Sequence, residues 1–123
     1  MRHLESHIQQ ECVKWARLQY PLCRKLLVTF ANGYWTTPVQ ARIAVAEGLV
    51  AGASDLILLQ PSWDGRWCGL AIEMKTPKGR QSENQKAWQK ELEKTGCYRY
   101  EVVRSFDQFK ELMDAYLKGQ KSR

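Results

Sequence analysis

The chain has 123 residues and a formal net charge of +6. That length suits one domain with a single core, because domains commonly run about 100 to 150 residues. With 44% hydrophobic and 26% charged residues, the composition is that of a globular protein, which excludes disordered and fibrous classes. The positive charge favours a polyanionic partner such as nucleic acid but specifies no chemistry.

The cysteines are even in number but far apart in the sequence, without the paired spacing of a zinc site. They are Cys12, Cys23, Cys68 and Cys97. The chain shows no segment like a signal peptide and no apolar run of about 18 residues that could span a bilayer. We therefore expect a cytoplasmic protein of a reducing compartment with no membrane partner, which would include a viral protein inside its host cell.

The first predicted element is a helix from His3 to Gln19, with Leu4, Ile8, Trp15 and Leu18 at helical spacing. Glu11 continues this apolar stripe, so we expect its carboxylate to face the interior. A buried carboxylate needs a partner or a metal. A small roll of the helix would instead leave Glu11 at the edge of the core, and periodicity alone slightly favours that alternative.

A short apolar segment, Lys25 to Phe30, predicts a strand that ends at the turn residues Asn32 and Gly33. The next helix is expected to begin at a capping box and to run to about Gly48. That capping box consists of Thr37, Pro38 and Gln40.

Gly48 and Gly52 precede Ser54-Asp55. Helix termination is enough to explain Gly48, whereas glycine in this segment also allows a close backbone approach.

A hairpin is predicted next, with strands Asp55 to Gln60 and Trp67 to Lys75 joined by a turn at Asp64-Gly65. Because strand side chains alternate, Glu73 and Lys75 share a face with the small residues Gly69 and Ala71, which we expect to leave space in front of the two charges. Leu70, Ile72 and Met74 face the core.

Ser82 and Gln85 form a capping box that opens a helix ending at Gly96. A strand from Cys97 to Arg104 and a helix capped by Ser105 follow, before a polar tail at Lys118 to Arg123. The final helix carries Phe109, Leu112, Met113 and Leu117 on one face. The predicted fold is α/β, one domain spanning residues 1–123, with a core at about 3–117 and a mixed central sheet flanked by helices.

The hairpin places two carboxylates, Asp55 and Glu73, and the ammonium of Lys75 at one end of the sheet. Hard cations such as Mg²⁺ prefer carboxylate and carbonyl oxygens, and the carbonyl of Met74 could add a ligand. A metal there would polarise a phosphate, while the lysine orients the nucleophile. Singly, each charged residue is explained by a solvated strand edge or a turn; together they favour phosphodiester hydrolysis.

These residues resemble the PD-(D/E)XK nuclease superfamily and, within it, the virus-type replication-repair nuclease (VRR-NUC) family in its short stand-alone form. The matching series is Glu11, Gly48 and Gly52 before Ser54-Asp55, Ile72-Glu73-Met74-Lys75, and Ser82 with Gln85. The resemblance covers most of the chain, from Glu11 to Leu117, although Ser54 replaces the usual proline before Asp55. It implies a restriction-endonuclease-like core.

The resemblance assigns the candidate site residues. Glu11, Asp55 and Glu73 would bind Mg²⁺ or Mn²⁺, with no small-molecule cofactor. Lys75 would assist the attacking water and Gln85 would orient the site. Short members of the family resemble Holliday junction resolvases, which implies a homodimer acting on branched DNA, a role in DNA repair and an occurrence in phage.

Four basic residues, Lys78, Arg80, Lys86 and Lys90, follow the proposed site and are candidates for DNA binding, although a solvated helix face explains any one of them equally well. Candidates for a dimer interface are Tyr34, Trp35 and Trp63. His3 and His7 lack a third ligand, so we assign them no metal role. Two alternatives stay open: a nuclease acting on flaps or linear DNA, and a DNA-binding accessory protein that does not cut.

Overall fold

The computed structural model describes residues 2–30 and 37–120. Within these ranges the elements follow the order helix, helix, strand, helix, two strands, helix, strand, helix. They are α1 (Arg2–Gln19), α2 (Cys23–Leu26), β1 (Leu27–Thr29), α3 (Pro38–Ala46), β2 (Leu56–Leu58), β3 (Gly69–Met74), α4 (Glu83–Lys94), β4 (Tyr98–Val103) and α5 (Phe106–Lys118). The predicted α/β architecture is confirmed.

The described strands form one mixed sheet in the order β1-β2-β3-β4. β1 and β2 pair antiparallel, as do β2 and β3, whereas β3 and β4 run parallel. A parallel pair needs a crossover connection, and α4 supplies it. The predicted reversal between β2 and β3 is confirmed: Gly65 has a φ of +73° and its N–H donates to the Ser62 carbonyl at 3.0 Å.

The core lies where α1 and α5 pack together on one face of the sheet. Leu70, Ile72 and Met74 of β3 face this core, as their alternation predicts. The opposite face, which carries Ala71 and Glu73, is covered by α4. The fully buried residues of the core include Cys12, Ala16, Leu58, Val103, Phe109 and Met113.

Two details of the first third of the chain differ from the sequence-based expectation. The predicted strand from Lys25 is helical in its first half, because the chain turns at Pro21 and the N–H of Leu26 donates to the Leu22 carbonyl at 3.0 Å. Only Leu27–Thr29 is extended. The predicted turn at Asn32 and Gly33 lies outside the described residues.

The predicted helix starts are all present. The side chains of Thr37, Ser82 and Ser105 each accept a hydrogen bond from the backbone N–H three residues later. In α4 the cap is reciprocal, because the Gln85 side chain also accepts from the Ser82 N–H at 2.8 Å. Such caps satisfy backbone donors that would otherwise lack a partner.

Candidate functional site

The hairpin of β2 and β3 brings Asp55, Glu73 and Lys75 to one edge of the sheet. Asp55 lies directly before β2, and its Oδ2 accepts a hydrogen bond from the Met74 N–H at 2.6 Å. The Nζ of Lys75 lies 3.9 Å from Oε2 of Glu73. The two carboxylates and the ammonium that the sequence singled out are therefore neighbours.

Glu73 is a fully buried carboxylate whose two oxygens are in different environments. Oε1 accepts a hydrogen bond from the Tyr100 hydroxyl. In the part of the chain that the structure describes, Oε2 has no hydrogen-bond partner. Burial of a carboxylate oxygen without a hydrogen bond is costly unless a cation compensates for it. Lys75 is one such cation at 3.9 Å, and the oxygen is a candidate ligand for a metal ion.

Asp55 responds electrostatically to this environment. The pKa of its carboxyl is raised from 3.8 to about 6, chiefly by burial and also by the negative charges of Glu73 and Glu5. The Met74 N–H and the Lys75 ammonium act in the opposite direction. Negative charge is therefore concentrated at this edge of the sheet, which is the electrostatic condition for binding a cation.

Of the two α1 carboxylates considered, Glu5 is the one whose charge contributes to the raised pKa of the Asp55 carboxyl. Glu11 is exposed, so of the two alternatives the inward-facing carboxylate is wrong, and the rolled helix that periodicity slightly favoured agrees better with the structure. The buried stripe of α1 is defined by Cys12 and Ala16, and Glu5 precedes Cys12 by seven residues, two turns along the same face. The sequence pattern misplaced the stripe because it counted Leu18, which is 71% exposed.

Gln85 occupies the first turn of α4, where its side chain is engaged in the cap. Gly52 contacts this same turn, since a Cβ at Gly52 would overlap the Asn84 carbonyl and lie 2.8 Å from the Gln85 nitrogen. The expected close backbone approach at this glycine is therefore present. It holds the loop before Asp55 against α4.

The space beside the small residues of β3 is filled by tyrosines of β4. Tyr98 lies against Gly69, where an added Cβ would come within 3.0 Å of its ring, and Tyr100 pairs with Ala71 in register. The expectation that Gly69 and Ala71 leave open space in front of Glu73 is therefore wrong. Tyr100 is a site residue that alternation within a single strand could not reveal, because it comes from the parallel neighbour.

The loop that follows Lys75 is held by Arg104. Its guanidinium Nη1 donates to the carbonyls of Thr76 at 2.9 Å and of Gly79 at 2.6 Å. Because the Lys75 N–H also donates to the Val103 carbonyl at 2.9 Å, the lysine is anchored on both sides by the end of β4.

The predicted DNA-binding residues Lys78, Arg80, Lys86 and Lys90 are all exposed, as phosphate contacts would require. Lys86 forms an ion pair with Glu83 at 3.3 Å.

The structure places one of the three aromatic residues suggested for a dimer interface. Trp63 is 63% exposed, and its indole rests against Gly119 at the end of α5. Tyr34 and Trp35 lie outside the described residues.

A divalent metal fits the donor set of this edge. The Oε2 of Glu73, which accepts no hydrogen bond from the described residues, and the carboxylates of Asp55 and Glu5 are hard oxygen donors of the kind that Mg²⁺ and Mn²⁺ prefer. No cluster of three or more His, Cys, Asp or Glu side chains is already arranged to hold a metal within residues 2–30 and 37–120. The fit rests on Oε2 of Glu73 and on the negative charge around it.

A mixed sheet with helices on both faces and this pair of carboxylates beside a lysine defines an α/β nuclease core. The model of the VRR-NUC domain family matches residues 1–107. The chain therefore belongs to the VRR-NUC domain family, a family of nucleases.

Comparison with solved structures agrees at the level of the fold. A protein described as a "VRR_NUC domain protein" superposes with a TM-score of 0.76 at 24% sequence identity, covering 95% of this chain and 90% of that chain. Comparison with curated proteins gave no match. None of the described helices combines the length and apolar character that crossing a membrane requires.

Proposed function

We propose that this protein is a metal-dependent DNA endonuclease that hydrolyses phosphodiester bonds. The observation that carries the proposal is the buried carboxylate of Glu73, whose Oε2 lies 3.9 Å from the Lys75 ammonium and accepts no hydrogen bond from the residues that the structure describes. A structural role alone does not explain why a fold would keep this arrangement, because replacing buried charges by apolar side chains is often neutral or stabilising.

Each side chain has a role in the proposed reaction. Asp55, Glu73 and Glu5 would hold Mg²⁺ or Mn²⁺, which when bound supplies polarisation of the scissile phosphate and a lowered pKa of a coordinated water. The Lys75 ammonium, 12% exposed as a side chain, orients the attacking water and offsets the negative charge that develops on the phosphate. The carbonyl of Met74 is a further candidate ligand.

We further propose a structure-selective enzyme that acts on branched DNA as a homodimer. The exposed cations near the site contact phosphates, which gives affinity without reading base sequence. One small domain carries one such site, and a four-way junction has two-fold symmetry, so a two-fold dimer would match two sites to two strands.

The proposal is tested by incubating the protein with four-way junction, flap and linear duplex DNA in Mg²⁺, in Mn²⁺ and in EDTA. Glu73→Gln and Lys75→Met preserve side-chain size while removing the charge, and we expect each to lower cleavage at least about a hundredfold, as loss of an electrostatic contact to the transition state does. Glu91→Gln is the matched control, because Glu91 is 72% exposed and pairs only with Lys94 among the described residues.

Symmetric nicks in the junction, together with a dimeric mass by light scattering, would support the resolvase-like role. Preferred cleavage of flaps or linear duplex would support the proposed site but contradict branched DNA as the substrate. Binding of DNA without cleavage in either metal would favour an accessory protein.

A further inference from the structure

A chain of side-chain hydrogen bonds ends at Glu73. The Gln81 Nε2 donates to Oε1 of Gln89 at 2.9 Å and to the Tyr100 hydroxyl oxygen at 3.3 Å. The Tyr100 hydroxyl in turn donates to Oε1 of Glu73. A carboxylate cannot donate, so the direction of the last bond is fixed by chemistry.

Tyr100 is well placed to hold this direction. It is buried, and the Trp88 ring packs against it at 6.1 Å between centroids. The hydroxyl has a single proton, and its hydrogen bond commits that proton to Oε1 of Glu73.

We propose that Tyr100 is a positioning residue that selects which oxygen of Glu73 binds the cation. Because the hydroxyl occupies Oε1, Oε2, which faces Lys75, is the oxygen available to bind a cation. Without the hydroxyl neither oxygen would accept a hydrogen bond from the described residues, and the carboxylate could rotate about its terminal bond. Outer-shell hydrogen bonds of this kind orient ligating carboxylates and affect metal affinity. This inference rests on the proposed function.

Tyr100→Phe removes the hydroxyl while keeping the ring, and Tyr98→Phe makes the same change two residues away on the same face, against Gly69. Calorimetric titration with Mn²⁺ should give a Kd that rises about tenfold or more for Tyr100→Phe, the size of outer-shell effects, and is unchanged for Tyr98→Phe. The Mn²⁺ concentration for half-maximal junction cleavage should rise in parallel, with kcat largely recovered at saturating metal.

Gln81→Leu provides a second variant should Tyr100→Phe fold poorly, and it should raise the Mn²⁺ Kd by a smaller factor. A Tyr100→Phe protein that unfolds at lower temperature but binds Mn²⁺ as the original chain does would overturn the positioning role and leave the proposed function intact. An original chain that neither binds Mn²⁺ nor cleaves DNA would overturn the proposed function, and the positioning role with it.

A second feature lies at the opposite end of the same two strands. Cys68 and Cys97 directly precede β3 and β4, whose first residues pair in parallel register. The Cys68 N–H donates to the Cys97 carbonyl at 2.6 Å, and both residues are exposed free cysteines. The other cysteines, Cys12 and Cys23, are buried.

We infer that Cys68 and Cys97 form a dithiol that a low-molecular-weight disulfide oxidises to an intramolecular bridge. The thiolate of one cysteine attacks the small disulfide and releases one small thiol. The second cysteine then attacks the mixed disulfide at the protein sulfur and releases the other. Two protein thiols are oxidised and one small disulfide is reduced to two thiols, so atoms and electrons balance.

The test is incubation of the folded protein with oxidised glutathione, followed by mass spectrometry and alkylation. The original chain should lose two hydrogens in mass and resist alkylation at Cys68 and Cys97. Cys68→Ser and Cys97→Ser should instead each keep one glutathione. Persistent glutathione adducts or disulfide-linked dimers of the original chain would overturn the inference.

Discussion

At the scale of single residues, the site works against the stability of the fold. Asp55 and Glu73 are like charges held close together in a poorly solvated position, and the Lys75 ammonium, the Tyr100 hydroxyl and the Met74 N–H partly offset them. A bound cation would relieve this repulsion. The residues that would hold the metal are thus the ones that cost stability without it.

Asp55→Asn should stabilise the protein in EDTA at high pH. The pKa of Asp55 in the folded protein, about 6, exceeds the ordinary 3.8. The contribution of Asp55 to the free energy of unfolding is therefore full below pH 3.8 and is lost as pH rises through 6. That loss amounts to at most about 3 kcal/mol at pH 8, from a shift of roughly two units. Asparagine keeps an oxygen for the Met74 N–H without the charge.

Urea unfolding of both proteins between pH 4 and 8 measures the difference. The unfolding free energy of the variant should increasingly exceed that of the original chain as pH rises, and the two values should converge near pH 4. A difference that does not change with pH would contradict the assigned pKa.

Glu5→Gln and Glu11→Gln make the same charge change on the same helix and separate the two candidate ligands of α1. Because the charge of Glu5 acts on Asp55 while Glu11 is exposed, we expect the Mn²⁺ Kd to rise at least about tenfold, or 1.4 kcal/mol, for Glu5→Gln alone. Calorimetric titration of each variant with Mn²⁺ measures this Kd. The reverse result would restore Glu11 as the ligand.

At the scale of elements, most of the fold could be predicted from local signals. Caps and glycine stops mark helix ends through short-range hydrogen bonds, and the alternation in β3 reports which side chains face the core. Asp55, Glu73 and Lys75 were found because antiparallel pairing of two strands that are neighbours in the chain brings the start of the first strand beside the end of the second.

The rest depends on packing between elements, which no local pattern encodes. The roll of α1 is set by the fit of Cys12 and Ala16 against the sheet, so Glu5 could not be distinguished from Glu11. Tyr100 reaches Glu73 across a parallel pair whose two strands are connected through α4. A cysteine counted as apolar would have shifted the predicted stripe toward Glu5.

Gly52→Ala should displace the loop before Asp55 from α4. The φ of +89° disfavours a side chain, and the added Cβ would meet the Asn84 backbone, so we expect a loss of about 2 kcal/mol or more in unfolding free energy. Gly48→Ala is the matched control, with a φ of +114° and nothing within 4 Å of an added Cβ. Urea unfolding of the two variants separates the packing cost from the backbone cost, and equal losses would argue against the contact.

At the scale of the whole molecule, part of the positive charge behind the net value of +6 lies beside the candidate site. Lys78 and Arg80 are exposed on the loop that Arg104 holds next to Lys75. A phosphate backbone that reaches the site would pass this loop, where binding releases counterions.

Lys78→Ala and Arg80→Ala should weaken DNA binding in EDTA and lower the slope of log K against log salt by about one each. Lys94→Ala is the control, because Lys94 forms an ion pair with Glu91 at 2.9 Å at the far end of α4. Fluorescence anisotropy over a KCl series gives the slopes. Unchanged slopes for both loop variants would place the DNA elsewhere.

The order of strands in the sheet equals their order along the chain, and this has a consequence for folding. β1, β2 and β3 pair with their neighbours in the chain, whereas β4 reaches β3 only through the α4 crossover, so we expect β4 to pair last. β4 carries Tyr100 and leads into Arg104, so the residues that hold Glu73 and the loop after Lys75 arrive last. In pulse-labelled hydrogen exchange, the β2 and β3 amides should become protected before those of β4. A partly folded chain would then have Asp55 and Glu73 side by side before Tyr100 and Arg104 are in place to hold the site.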